Sequence, residues 1–470
     1  MAKEGRNNTI DLVDGPIFSS LIRFAIPILF GSIVTQFYNV ADSMIVGRFI
    51  SSEALAAVSA STPIVSIINL FAIGLSSGSN VVIAQRVGSG DRSALQKAVS
   101  TVSFLTITCS LFITVIGLIV SRPMLAVLKT PEEIMDASAL YLVIVFLGTT
   151  GNLIYQMGTG ALRGMGDVNW PLIFLIICSV LNIVFDLAAV LIFKLGVEGV
   201  AAATAISQII SGIGIIRRLN SGPYGIRVGL SEMKPDRYEL GEIVRIGLPA
   251  AIQNIGNTLA SMFVQSSVNT FGSTFIAANS IVTKVDMLLY IPVDALSTAL
   301  CTFVGQNMGR LQLDRIRKGI NSAILTLTIL GVGLCGTQIA FRHVLPTIFT
   351  KDQAVLDIAS EGLLIMSFQC LFYGIDRCLV NAMRGAGKSV VPMITAQFGA
   401  FSRIPLSYYL GVKTGDWHGI FWAMLIAAFL RNTAIAIYYF CGGWTRVVKS
   451  YEEKHPELLK NGSACEENKV

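Results

Sequence analysis

The chain has 470 residues, 53% hydrophobic and only 14% charged, with a mean hydropathy of +0.67 and a net charge of +6. A soluble protein of this length carries nearly twice that charged fraction, so a water-soluble globular enzyme is excluded. The basic residues lie in alternate loops between apolar segments, which is not the footprint of a nucleic-acid-binding face.

Taken in order, residues 1–16 are polar and read as a cytoplasmic N-terminal segment. No secretory leader with a small-residue cleavage site precedes the first apolar segment, so that segment is expected in the mature protein. Twelve apolar segments follow, each near the ~20 residues that cross a bilayer core. The first six fall at about 17–46, 54–80, 98–120, 136–158, 170–193 and 197–217. A basic stretch at 217–240 is the longest polar interruption and reads as a cytoplasmic linker. The second six fall at about 241–268, 276–303, 319–341, 356–381, 390–411 and 419–441, and the charged segment 443–470 is expected to be a soluble tail. The fold class is therefore an all-α polytopic membrane protein with two six-helix lobes, 17–216 and 241–442. With both termini inside, 15 Lys and Arg fall in cytoplasmic loops against 7 outside, which orients the chain in the cell membrane.

Seven of the eight cysteines lie in apolar segments and Cys465 lies in the tail, with no CxxC pair. They read as small hydrophobes. The histidines His343, His418 and His455 are scattered, so no clustered His/Cys metal site is expected.

The fifth segment, Trp170 to Lys194, carries Asn182 and Asp186 within its apolar run. Four residues apart, they share one helix face. A carboxylate in hydrocarbon is costly unless paired, hydrated or protonated, which makes Asp186 a functional candidate. The plainer alternative is a helix–helix hydrogen bond through Asn182, with Asp186 near a water-filled end.

The halves repeat. At an offset of 222, Arg23, Pro27, Phe49 and Ala56 fall on Arg245, Pro249, Phe271 and Ala278. At 221, Ala161-Leu-Arg163-Gly164-Met-Gly166 falls on Ala382-Met-Arg384-Gly385-Ala-Gly387. An even number of helices per repeat makes the repeats parallel, a plan found in carriers, with a cleft expected between the two bundles.

With these Arg-Gly-x-Gly motifs go Val40-Ala-Asp42-Ser-Met-Ile-Val-Gly47, Gly196-Val-Glu-Gly199-Val-Ala-Ala-Ala-Thr204 and Val304-Gly-Gln-Asn-Met-Gly309. On these residues the chain resembles the multidrug and toxic compound extrusion (MATE) family over about 17 to 441. The resemblance implies a carrier exporting small cationic amphiphiles, driven by Na⁺ or H⁺, with no cofactor and no enzymatic activity. It implies an ion site at Asp42, Asn182, Asp186 and Thr204, with Asn152 as a weaker match and Pro27 at the kink of the first helix.

Depth agrees with that grouping. At ~1.5 Å per residue, Asp42 lies about 9 Å inside Arg48, Asp186 about 12 Å inside Lys194, and Asn182 about 18 Å inside it. Thr204 lies about 9 Å beyond Glu198, so three helices bring hard oxygen donors to one layer. Such donors suit Na⁺ or a shared proton. Tyr38 and Asn39 face the same layer from the first helix.

The second half does not repeat the site, since Val264, Arg403 and Ser407 stand where Asp42, Asn182 and Asp186 stand in the first. Its own charges are Lys284, Asp286, Asp294, Asp376, Arg377, Arg403 and Arg431, which read either as mutually neutralising pairs or, through Asp286 or Asp294 with Asp376, as a substrate site. Gln253, Asn257, Ser261 and Gln265 recur at four-residue spacing and could face substrate or bond a neighbouring helix. Metalloprotease, P-loop and hydrolase motifs are absent from the sequence. A lipid-linked sugar flippase of related plan is the alternative, kept open by Arg403, Arg431 and Lys284. The chain is expected to act as a monomer among membrane lipids.

Overall fold

The computed structural model describes residues 9–50 and 52–454, and among them every regular element is helical. Residues 1–8, the tail beyond 454, His455 and Cys465 lie outside the described residues.

The first half comprises α1 (Ile17–Phe49), α2 (Ser52–Ser89), α3 (Arg92–Val127), α4 (Glu132–Gly164), α5 (Asn169–Leu187) and α6 (Val197–Ser221). The second comprises α7 (Arg237–Asn269), α8 (Gly272–Gly309), α9 (Leu313–Ala340), α10 (Gln353–Ser367), α11 (Gln369–Gly385), α12 (Val390–Ser407) and α13 (His418–Tyr438). Nine of the described helices are long and apolar enough to cross a membrane, and α10 with α11, bent by 47°, makes a tenth. The remaining expected spans, α7 and α12, are helical but less apolar. Gln253, Asn254, Asn257 and Gln265 dilute α7, and Gln397, Arg403 and Ser407 dilute α12. Side chains such as Phe112, Ile119, Leu325 and Ile329 are more than half exposed, which lipid makes favourable and water does not.

A short helix, α14 (Trp444–Lys454), begins the segment expected to be a soluble tail. Its buried face is Trp444, Val447 and Tyr451, the three- and four-residue spacing of an amphipathic helix. Lys388 donates to Ser450 at 2.9 Å and ties α14 to the turn after α11.

The chain divides into two compact units. One is built on Ile26–Ala251; the other takes Leu12–Ala25 and the chain from Ile252 onward. The sequence places lobe boundaries in the polar stretch between 216 and 241, whereas the units divide inside α1 and α7. The divisions fall beside Pro27 and Pro249, each of which lacks the N–H that would continue the helical ladder. Part of the stretch 217–240 is fastened to the first unit. Gln96 bonds the Arg227 backbone, Asn220 bonds the Val228 backbone, and Thr101 accepts from the Asp236 N–H.

In the first unit α4 packs against α2, α3 and α6. The Arg-Gly-x-Gly motif has a separate physical reason for each glycine. A Cβ on Gly164 would lie 2.7 Å from the Asn80 carbonyl of α2, and one on Gly385 would meet the Cys301 carbonyl and lie 2.9 Å from Val304 Cβ of α8. Small residues there let helix backbones approach. Gly166 (φ 88°) and Gly387 (φ 84°) take the left-handed conformation that ends the helix. The same capping bonds recur, Gly166 N–H to Arg163 O and Gly387 N–H to Arg384 O. Beside the first turn, burial raises the Asp167 carboxyl above its ordinary range, against the opposing pull of Arg218 at 2.7 Å.

Candidate functional site

Within the first unit, α1, α2, α4 and α6 enclose a cavity of about 430 Å³. Three sequence-derived candidates on α1, namely Tyr38, Asn39 and Asp42, line it together with Asn152 of α4 and Thr204 of α6. The i, i+4 spacing of Tyr38 and Asp42 sets both on the cavity face.

Behind that wall α5 presents Asn182 and Asp186, which are 1% and 0% exposed. The Asn182 amide lies 3.0 Å from Thr204 Oγ1. Oriented so that its oxygen accepts from Thr204, its nitrogen donates to Asp186 Oδ2 at 2.9 Å. The Asp42 and Asp186 carboxyls lie near enough to act on one another electrostatically, and Tyr38 lies beside Thr204. Two acids, an amide and a hydroxyl from α1, α5 and α6 thus form one cluster at the back of the cavity.

Among the described residues three acceptor oxygens of this region have no hydrogen-bond donor: Asp42 Oδ1, Asp186 Oδ1 and Asn152 Oδ1. Buried acceptors are normally satisfied, so these are free to face a cation. The donors are all oxygen, the chemistry that suits a hard monovalent ion or a proton held between carboxylates. Among the described residues no group of three His, Cys, Asp or Glu side chains could hold a metal ion.

Sequence reasoning missed several cavity residues: Thr62, Ser66 and Asn69 of α2, Tyr141 of α4 and Gln208 of α6. Thr62, Ser66 and Asn69 are polar at four- and three-residue spacing in an apolar helix. That spacing was available in the sequence as a signal for α2.

In the second unit the candidates separate. Asn257, Asp376 and Arg403 line one cavity of about 180 Å³. Gln253 is buried and accepts from Arg384 at 2.7 Å, while Gln265 is exposed and bonds Asn269 at 2.9 Å. Asp286 accepts from Gln338 at 2.8 Å. Asp294 pairs with Arg377 at 3.4 Å, and Asp376 pairs with Arg431 at 2.5 Å. At the positions equivalent to Asp42 and Asp186, Val264 lies in an apolar cluster and Ser407 bonds Ser267 at 3.3 Å. Lys284 lies over the Phe349 ring, 5.8 Å from its centroid, and does not line the cavity that holds Arg403 and Arg431.

The MatE family model matches the chain twice, over residues 27–188 and 249–409, one match in each half. The chain belongs to the MATE family. Among relatives of this MATE chain, the probable multidrug resistance protein YoeA of Bacillus subtilis is 29% identical, over 86% of this chain and 90% of its own. The probable multidrug resistance protein NorM of Thermotoga maritima is 27% identical, over 94% of this chain and 96% of its own. A crystal structure of a MATE protein in complex with MaD3S superposes with a TM-score of 0.86 at 21% identity, covering 96% of this chain and all of that one. An outward-facing multidrug resistance MATE transporter superposes at 0.84, with 22% identity, 96% of this chain and all of its own. The fold is therefore that of a MATE transporter, a multi-pass membrane protein.

Proposed function

We propose that this chain is a secondary antiporter that exports small cationic amphiphiles in exchange for Na⁺ or H⁺ by alternating access. It would work in the cell membrane with both termini cytoplasmic, as a monomer and without a cofactor. The observation that carries this reading is the Asp42–Asp186 pair, held with Asn182 and Thr204 at the wall of a cavity lined by polar and apolar side chains. The names of the relatives agree with a drug as cargo.

In this reading an ion neutralises the carboxyl pair in one state of the cycle, and a cationic drug seated against Asp42 competes for the same negative charge. Tyr38, Asn39 and Asn152 would supply polar contacts in the cavity. Pro27 would be the hinge, because the helix can bend where the ladder is interrupted without breaking further hydrogen bonds. The driving energy suffices: one charge crossing about 100 mV supplies about 2.3 kcal/mol. That supports a gradient of roughly fifty-fold for a neutral cargo. For a monovalent cation exchanged one-for-one the potential cancels, leaving only the chemical gradient of the ion.

Efflux from proteoliposomes, with the Na⁺ and pH gradients imposed separately, tests the proposal. Export that follows one gradient and stops when it is collapsed is the expected result. Transport indifferent to both gradients overturns it.

A further inference from the structure

The second unit's cavity has the opposite electrical character from the first. Helix α11 contributes Phe372, Tyr373, Asp376 and Arg377, α12 contributes Arg403, and α13 contributes Arg431 and Asn432, around a volume of about 180 Å³. Three guanidinium groups and one carboxylate therefore share a small space inside a membrane-spanning unit.

The pairing leaves one charge over. Arg431 is taken by Asp376 at 2.5 Å. Arg377 is taken by Asp294, whose carboxylate also accepts from the Tyr373 hydroxyl at 3.1 Å. Arg403 forms no ion pair among the described residues, and its buried Nε has no acceptor. The Nε atoms of Arg377 and Arg431 make no hydrogen bond either, and Asp376 Oδ1 on the same cavity has no donor, so what sets Arg403 apart is that it has no ion pair. A guanidinium away from water is stable when an anion completes it.

The repeat sharpens the point. Arg403 stands at the position of Asn182, Ser407 at that of Asp186 and Val264 at that of Asp42. At these three positions the first unit has two carboxylates, whereas the second has a cation and no carboxylate. Residues Gln369 and Tyr373 line this cavity at the positions where Gly148 and Asn152 line the other. Equivalent places in the two repeats have thus acquired opposite charge.

Depth and shape narrow the ligand. Arg403 lies ten residues before Lys413 in the sequence, about 15 Å from the end of the span, near the middle of a ~30 Å core. Lipid head groups lie at the interface, so a lipid phosphate does not reach this depth. The planar guanidinium matches a carboxylate through two parallel N–H donors, and Phe372 and Tyr373 offer aromatic surface beside it.

We propose that the second unit's cavity binds the carboxylate of a small aromatic anion, with Arg403 as the group that engages it. The site takes part of a cargo or a counter-ligand whose charge is opposite to that served by Asp42 and Asp186. It does not depend on which ion drives transport.

Isothermal titration of the full chain in detergent, with 2-naphthoate and its neutral isostere 2-naphthamide, tests the proposal. Naphthoate is expected to bind at least about tenfold more tightly, the scale of a charge-assisted hydrogen bond. Arg403→Gln should reduce naphthoate to the affinity of the amide, and Arg403→Lys should retain part of the preference. Equal affinities for acid and amide in the wild-type chain overturn the proposal, even where Arg403→Gln does not fold. So does naphthoate binding unchanged in a folded Arg403→Gln protein. Displacement of naphthoate by inorganic phosphate at concentrations where acetate has no effect overturns the assignment to a carboxylate. Because no gradient is present, failure here leaves the coupled-export proposal untouched.

Discussion

Asp42→Asn removes one negative charge from the carboxyl pair and almost nothing else. Asp42 borders an open cavity and the amide is isosteric, so the change in folding stability should stay within about 1 kcal/mol. Asp186→Asn is comparably mild for folding, because the new amide oxygen can still accept from Asn182, now 2.9 Å away. The cost falls on the ion. Removing a unit charge about 4 Å from a monovalent cation, at an effective dielectric near 20, withdraws about 4 kcal/mol of attraction. Solvent in the cavity reduces that to about 2 kcal/mol, or roughly thirty-fold in ion affinity. Coupled export of a cationic dye from proteoliposomes should therefore be lost in both variants, while the proteins elute as folded species in detergent. Wild-type export rates in both, at equal protein density, would refute the reasoning.

The same pair predicts competition: Na⁺ or low pH should weaken binding of a fluorescent cation to purified protein, and Asp42→Asn should remove that dependence. An affinity indifferent to both ions counts against it. Val264→Asp should not raise the number of ions moved per cargo, because Val264 is 3% exposed in an apolar cluster and its repeat neighbours are Arg403 and Ser407. A doubled ion-to-cargo ratio in a flux assay would show the asymmetry argument to be wrong. Gly385→Val and Gly164→Val should each lower the thermal stability of the detergent-solubilised protein, by about 1–3 kcal/mol, since the added carbons meet carbonyl oxygens of α8 and α2. Unchanged melting in both would remove the close-approach explanation of the motif.

Helical rise is the same in every span, so counting residues from Arg48, Lys194 and Glu198 was enough to set Asp42, Asp186, Asn182 and Thr204 in one layer. Hydropathy likewise marked most of the spans, because a bilayer demands about 20 apolar residues whatever surrounds them, while α7 and α12 are more polar than that criterion allows. The repeat was legible because Arg163-Gly164-Met-Gly166 and Arg384-Gly385-Ala-Gly387 meet identical local demands: a thin helix face, then a left-handed turn. Helix rotation about its own axis is different, because it depends on which neighbour each face meets. Only the tertiary structure therefore decided that Gln253 is consumed by Arg384 while Asn257 lines a cavity, though both lie on one ridge of α7. Only it decided that Asp294 and Asp376 are taken by Arg377 and Arg431. A charge in a sequence has no partner until segments far apart in number are packed side by side, and among the described residues Arg403 is the charge of its cavity left without an ion pair.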